Sequence, residues 1–174
     1  MDVYTLTTVA VIVTGAGQAV SDDLEADDAG VDRTCLLVPG DIAWDSCDCG
    51  QLAQTVTSVS PSSAFPTVSA DTPQTPCGPN QMIVNVTLSL VRCVTGVDEN
   101  GNPPPCDVLL AEAVRLERDR FIARRAVRCY LQELYDALRL TGFSVGTSTS
   151  VGPEGLCGGS ELTYSFGIGA AGCC

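Results

Sequence analysis

The stretch MIVNVTLSLVRCV, Met82–Val94, decides the fold. Met82, Val84, Val86, Leu88 and Leu90 fall on one side, and Asn85, Thr87 and Ser89 on the other. That period of two describes a strand with one face on a core. Ser160–Ile168 repeats it, with Leu162, Tyr164, Phe166 and Ile168 alternating with Glu161, Thr163, Ser165 and Gly167. Phe143–Val151 places Phe143, Val145, Thr147, Thr149 and Val151 on one side. Gly152-Pro153 then reads as the turn of a hairpin, connected through Gly152–Gly159. Upstream, Gln51–Ser60 reads as a strand, and Cys35–Val38 as a shorter one ended by Pro39-Gly40.

Two helices complete the pattern. In Thr5–Leu24 the apolar residues Leu6, Val9, Val13, Ala16, Val20 and Leu24 recur at steps of three and four, the spacing of an amphipathic helix. The β-branched run Val9–Val13 leaves an N-terminal strand as the competing reading. The stronger helix spans about Asp107–Leu140. Pro103-Pro104-Pro105 stops what precedes it, Asp107 is placed to cap it, and Gly142 closes it. Val114, Phe121, Val127, Leu131, Leu134 and Leu138 are its expected core stripe. The fold class is therefore α/β of the α+β type: a mixed, mostly antiparallel sheet flanked by an N-terminal helix and one long Arg-rich helix. One domain over residues 1–174 is expected. Its Pro/Ser/Thr-rich excursion at about 61–80 (Pro61–Pro79) reads as a long loop that is functional or makes contacts outside the domain.

Composition excludes much chemistry. The chain carries nine basic residues, all Arg, against 21 acidic ones, for a net charge of -12, and it has no His. Without His there is no imidazole base and no Ser-His-Asp or Cys-His pair. Without Lys there is no phosphate-loop lysine and no Schiff base. A pI near 4.1 argues against a protein that grips phosphate backbones. Thr14-Gly15-Ala16-Gly17-Gln18 lacks the third glycine and the lysine of a phosphate loop. The acidic run Asp22–Asp32 fails the spacing of a calcium loop. No enzymatic activity and no cofactor are expected. Leu6–Val20 is too short and too interrupted to span a membrane, and Asp2 stands where a secretory signal would carry positive charge. The sequon Asn85-Val86-Thr87 lies inside a strand and is discounted.

Charged residues make up only 17 % of the chain, below the usual ~25 %, which suggests a surface partly covered by neighbouring subunits. Seven of the nine Arg fall in the long helix, making it slightly basic within an acidic chain. Either they form a solvated face laced by local pairs, or they meet an acidic surface on a second copy. Arg118, Arg124, Arg125 and Arg128 are the candidate interface residues.

Ten cysteines leave three readings open: structural disulfides, buried free thiols, or zinc. Connectivity does not follow from spacing. The disulfide candidates are Cys35, Cys47, Cys49, Cys77, Cys93, Cys106, Cys157, Cys173 and Cys174. Cys47 or Cys49, a C-x-C beside Trp44, is expected in at least one bridge. No metal is assigned, because no second close pair follows at zinc-finger spacing.

The order of elements, with AWDSCDCGQLAQTV (Ala43–Val56), VNVTLSLVRC (Val84–Cys93), RRAVRCYLQEL (Arg124–Leu134) and TSVGPEGLCGGSELTYSFG (Thr149–Gly167), resembles the small tail terminators of long-tailed phages. It is most similar to neck proteins of actinobacterial phages. That resemblance implies a virion protein synthesised in the host cytoplasm and located in the tail or neck. It implies a hexameric ring that caps the tail tube and joins it to the head connector, with DNA passing through the lumen without specific binding. A tail tube protein and a head–tail connector or stopper protein are then its partners. Two alternatives stand beside it: a head-to-tail stopper or connector, and a disulfide-rich minor tail protein that binds a host surface.

Overall fold

The computed structural model describes residues 3–40, 50–68, 81–154 and 156–169. In chain order the elements are α1 (Val3–Ala26), β1 (Arg33–Cys35), β2 (Gln51–Ser62), β3 (Gln81–Cys93), α2 (Cys106–Asp136), β4 (Gly142–Glu154) and β5 (Cys157–Gly169). The strands form one sheet in the order β1-β2-β3-β5-β4. β1 runs parallel to β2, and every other pair is antiparallel. This is the mixed, mostly antiparallel α+β sheet with an N-terminal and a long second helix that the periodicities imply.

The central strand behaves as its alternation dictates. Val84, Val86, Leu88 and Leu90 of β3 are buried beneath the helices with Leu162, Tyr164 and Phe166 of β5. From α1 come Val9, Ile12, Val13, Ala16, Val20 and Leu24, and from α2 Ile122, Ala126, Val127, Leu131 and Leu134. At about 25 cal/mol per Å² of apolar surface removed from water, a fully buried Leu or Phe contributes roughly 1.5–3 kcal/mol. This aliphatic layer therefore holds both helices to the sheet.

Several boundaries and faces differ from the sequence reading. β2 continues past Ser60 to Ser62, with Pro61 opposite Met82. β1 reaches only Ala53, so β2 is an edge there, the place in a sheet where proline is tolerated. Residues 69–80 of the expected loop lie outside the described residues. Gly152-Pro153 is not the hairpin turn. Both residues belong to β4, and the reversal falls between Glu154 and Cys157, which pair directly. β4 does not keep one face either. A register shift between Val145 and Ser148 leaves Phe143 and Val145 toward the core, then turns Ser148 to that side in place of Thr147.

Each helix ends in a left-handed residue that is not glycine. For α1, Asp28 has φ 53°, Ala29 N donates to Leu24 O at 2.8 Å, and Asp28 N to Glu25 O at 3.1 Å. For α2, Leu138 has φ 57°, Arg139 N donates to Leu134 O, and Leu138 N to Tyr135 O, both at 2.9 Å. These are Schellman closures. α2 thus stops four residues before Leu140, and Gly142 opens β4 rather than closing the helix. At the other end Pro105 is the cap position and Asp107 lies in the first turn, where its charge complements the helix dipole without a capping bond.

Candidate assembly surface on the second helix

Most of the arginines of α2 are used to hold the helix in place. Arg118 Nε donates to Asp27 Oδ2 at 2.6 Å, and its Nη2 to the Asp27 carbonyl at 2.7 Å. Arg125 Nη2 reaches Asp23 Oδ2 at 3.1 Å. On the opposite flank Arg124 donates to the carbonyls of Gly146 and Val145, and Arg120 to Ser148 Oγ and O. Arg115 donates to the Cys93 carbonyl at 2.6 Å. Arg124 and Arg125 diverge because neighbours on a helix point about 100° apart: one ties α2 to β4, the other to α1. The acidic complement of Arg118 and Arg125 is therefore the C-terminal turn of α1 in the same chain. The Arg118 guanidinium, chiefly through its hydrogen bond, holds the Asp27 carboxyl below the usual carboxylate range.

Of the four candidate interface arginines, Arg128 alone makes no hydrogen bond or ion pair among the described residues, and it is exposed. It stands eighteen residues, five helical turns, from Leu110. Leu110, Val114 and Phe121 share that face and are 66 %, 62 % and 70 % exposed. The expected core stripe is corrected accordingly. Val127, Leu131 and Leu134 are buried, whereas Val114, Phe121 and Leu138 point to solvent, and Asp119, Ile122, Ala123 and Ala126 complete the inner face. The seven-residue step from Val114 to Phe121 imitates a core seam on the wrong side of the helix. The result is a convex row of apolar side chains, interrupted by Glu117 and followed by Arg128, a cation with no partner among the described residues.

Two concave apolar regions lie elsewhere. One, of about 590 Å³, runs between the first half of α1 and the open edge of β2, lined by Leu6, Val9, Leu37, Val38, Val56 and Val59 among others. The other, of about 260 Å³, separates α2 from the β4–β5 hairpin, with Leu109, Leu116, Val151 and Pro153 in its walls. Glu112 at its rim accepts from Thr95 N and Oγ1 at 2.8 and 2.7 Å, bonds that lower its pKa.

Two buried polar centres escaped the sequence reading. Arg92 Nε donates to Asp119 Oδ2 at 2.7 Å with the two side chains 6 % and 2 % exposed. Its Nη1 and Nη2 donate to Gly30 O and Ala29 O just beyond α1. Asp119 Oδ1 has no hydrogen-bond partner among the described residues. Gln54, fully buried, donates through Nε2 to Val13 O and Leu36 O at 3.0 Å and accepts from Tyr164 Oη at 2.8 Å. Desolvation raises the Tyr164 pKa, so the phenol stays a donor. The signal was present in the pattern: Arg92 occupies the next core-facing position after Leu90. Gly15 and Gly17 gain their role here. Both lie inside α1, where a Cβ on Gly15 would collide with Tyr130 Oη and one on Gly17 with Gln54 Nε2.

Among the disulfide candidates, Cys157 is disulfide-bonded. Cys35, Cys93 and Cys106 stand as free thiols in the structure, as does Cys129. Cys35 and Cys93 are strand residues and Cys106 opens α2, so their positions are set by backbone pairing and helix entry rather than by a cross-link. Cys47, Cys49, Cys77, Cys173 and Cys174 lie outside the described residues. Among the described residues no group of three or more Cys, Asp or Glu is placed to hold a metal ion. No helix there is long and apolar enough to cross a membrane. No protein-family model matches the chain, and no curated protein matches its sequence.

Proposed function

We propose that this chain is a structural virion subunit that assembles head to tail into a ring, hexameric on the family resemblance. The ring caps the tail tube and joins it to the head connector. The observation that carries this reading is the coexistence of two unlike apolar surfaces on one chain. Leu110, Val114 and Phe121 form a convex stripe, and the β2-edge cleft is concave. A closed ring needs a heterologous interface of that kind, one patch meeting a different patch. Arg128 at the end of the stripe meets a copy whose net charge is -12, so attraction favours a second subunit there. Summed around a ring, that negative charge repels DNA in transit and keeps it from sticking. The roles are structural: the tail tube protein and the head–tail connector or stopper are the partners, and no catalysis or cofactor is involved.

One observation favours a second reading. A disulfide at Cys157 suits a minor tail protein exposed to medium and engaged with a host surface. Locating a tagged copy in the particle by electron microscopy tests the two. A ring at the tube–head junction supports the terminator or stopper reading; a position on the tail exterior overturns it in favour of the minor tail protein.

A further inference from the structure

We propose that Cys93 and Cys157 form an internal thiol–disulfide exchange site at the end of the β3–β5 ladder. The two residues are direct partners in the antiparallel register, the last pair of the ladder. Val94 N donates to Leu156 O at 2.8 Å, which makes 94/156 a hydrogen-bonded pair and 93/157 the non-bonded pair beside it. Such pairs bring their Cα atoms to ≈ 4.5 Å, inside the ≈ 4.4–6.8 Å that a disulfide spans. Both side chains turn to the same face and share one small apolar cluster with Val91. Cys93 is a free thiol, whereas Cys157 already carries a disulfide. Strand pairing alone therefore sets a free thiol directly across the ladder from a bonded cysteine. The bond from Arg115 to the Cys93 carbonyl fastens this end of β3 to α2 and keeps the register from slipping.

The step balances without an added oxidant. The Cys93 thiolate attacks Cys157 Sγ, a Cys93–Cys157 bond forms, and the bond from Cys157 to its present partner breaks. That partner leaves as a thiolate and takes up the proton Cys93 gave away. One disulfide and one thiol stand on each side. The cross-link moves onto the β3–β5 ladder, and whatever Cys157 tethered is released. Cys157 is only 5 % exposed, so a thiol from solution reaches it poorly while Cys93 is already in place. This inference does not depend on what the chain assembles into.

The test uses the full oxidised chain, held without reductant under argon, quenched in acid at intervals and mapped by mass spectrometry without reduction. A Cys93–Cys157 peptide is expected to accumulate, at least about tenfold faster at pH 8 than at pH 6 because the thiolate attacks. The total thiol count stays constant. Cys93→Ser abolishes that peptide, and Cys93→Ala does the same in a side chain suited to the apolar cluster. Cys106→Ser and Cys129→Ser, at exposed thiols, leave it unchanged. The proposal is overturned if natively folded protein yields no such peptide at pH 8, or if Cys157 is found as a free thiol.

Discussion

Two sets of arginine–aspartate pairs hold α2, with similar geometry and very different surroundings. Arg92 and Asp119 meet at 2.7 Å beneath the helix, 6 % and 2 % exposed. Arg118 and Asp27 meet at 2.6 Å along its flank, 53 % and 44 % exposed, and Arg125 and Asp23 at 3.1 Å in similar openness. Distance does not separate them; water does. A buried pair costs desolvation to form, but losing one partner strands the other charge in the core. An exposed pair exchanges contact for hydration at little gain. The inner pair is thus a point of vulnerability, and the outer ones set the angle and register of the two helices.

Breaking the inner pair gives the largest effect. Arg92→Leu leaves Asp119 buried with neither oxygen partnered among the described residues and uncovers the Ala29 and Gly30 carbonyls. A loss of roughly 3–5 kcal/mol in urea unfolding is expected. Arg92→Leu with Asp119→Leu should recover much of it, because the stranded charge goes too. If the double variant is as unstable as the single one, the backbone contacts of Arg92 matter more than the charge pair.

The neutral centre comes next. Gln54→Leu removes the partners of Val13 O, Leu36 O and Tyr164 Oη at a fully buried position. A cost of about 1–3 kcal/mol is expected, since buried polar groups are left unsatisfied. Gly17→Ala should act through the same site by pushing the Gln54 amide aside. A neutral Gly17→Ala would show that Gln54 yields freely.

A smaller change has the opposite sign. Leu138 holds a left-handed backbone with a side chain 92 % exposed, so it loses nothing in packing if removed. Leu138→Gly should stabilise the chain by roughly 0.5–1 kcal/mol, read as a higher urea midpoint. The outer pairs give the least: Arg118→Ala is expected to leave the urea midpoint almost unmoved at pH 7. Its mark is pH dependence. The Asp27 pKa lies below its ordinary 3.8 in the folded chain, so the unfolded state binds the proton more readily. The pair's contribution is present above about pH 4 and fades as pH falls through the folded value. Arg118→Ala should flatten the acid limb of the stability profile; an unchanged limb would assign it to other carboxylates.

The strands and both helices were legible because their periods of two and near four run long enough to exclude each other. What was not legible shares one cause, dependence on residues far away in the chain. The bulges at Thr57 and at Gly146-Thr147 reverse which side faces the core, and no local pattern marks them. Val114 and Phe121 read as core because a helix apolar on two sides does not say which side the sheet covers. The arginine partners Asp23 and Asp27 lie some ninety to a hundred residues upstream, so charge alone could not tell an intrachain complement from a neighbouring subunit. Arg124 and Arg125 illustrate the consequence. Both side chains are engaged within the chain, so reversing their charge would disturb those contacts and would not isolate an effect on assembly.

The assembly claim therefore rests on the outward stripe, whose residues the isolated chain does not use for packing. Native mass spectrometry of the wild-type chain and of Val114→Glu with Phe121→Glu tests it most directly. Circular dichroism checks that the double variant keeps its fold. A closed oligomer of uniform subunit number is expected for the wild type, and a folded monomer for the variant. A wild-type chain that stays monomeric at high concentration, or a variant that assembles as the wild type does, would contradict it.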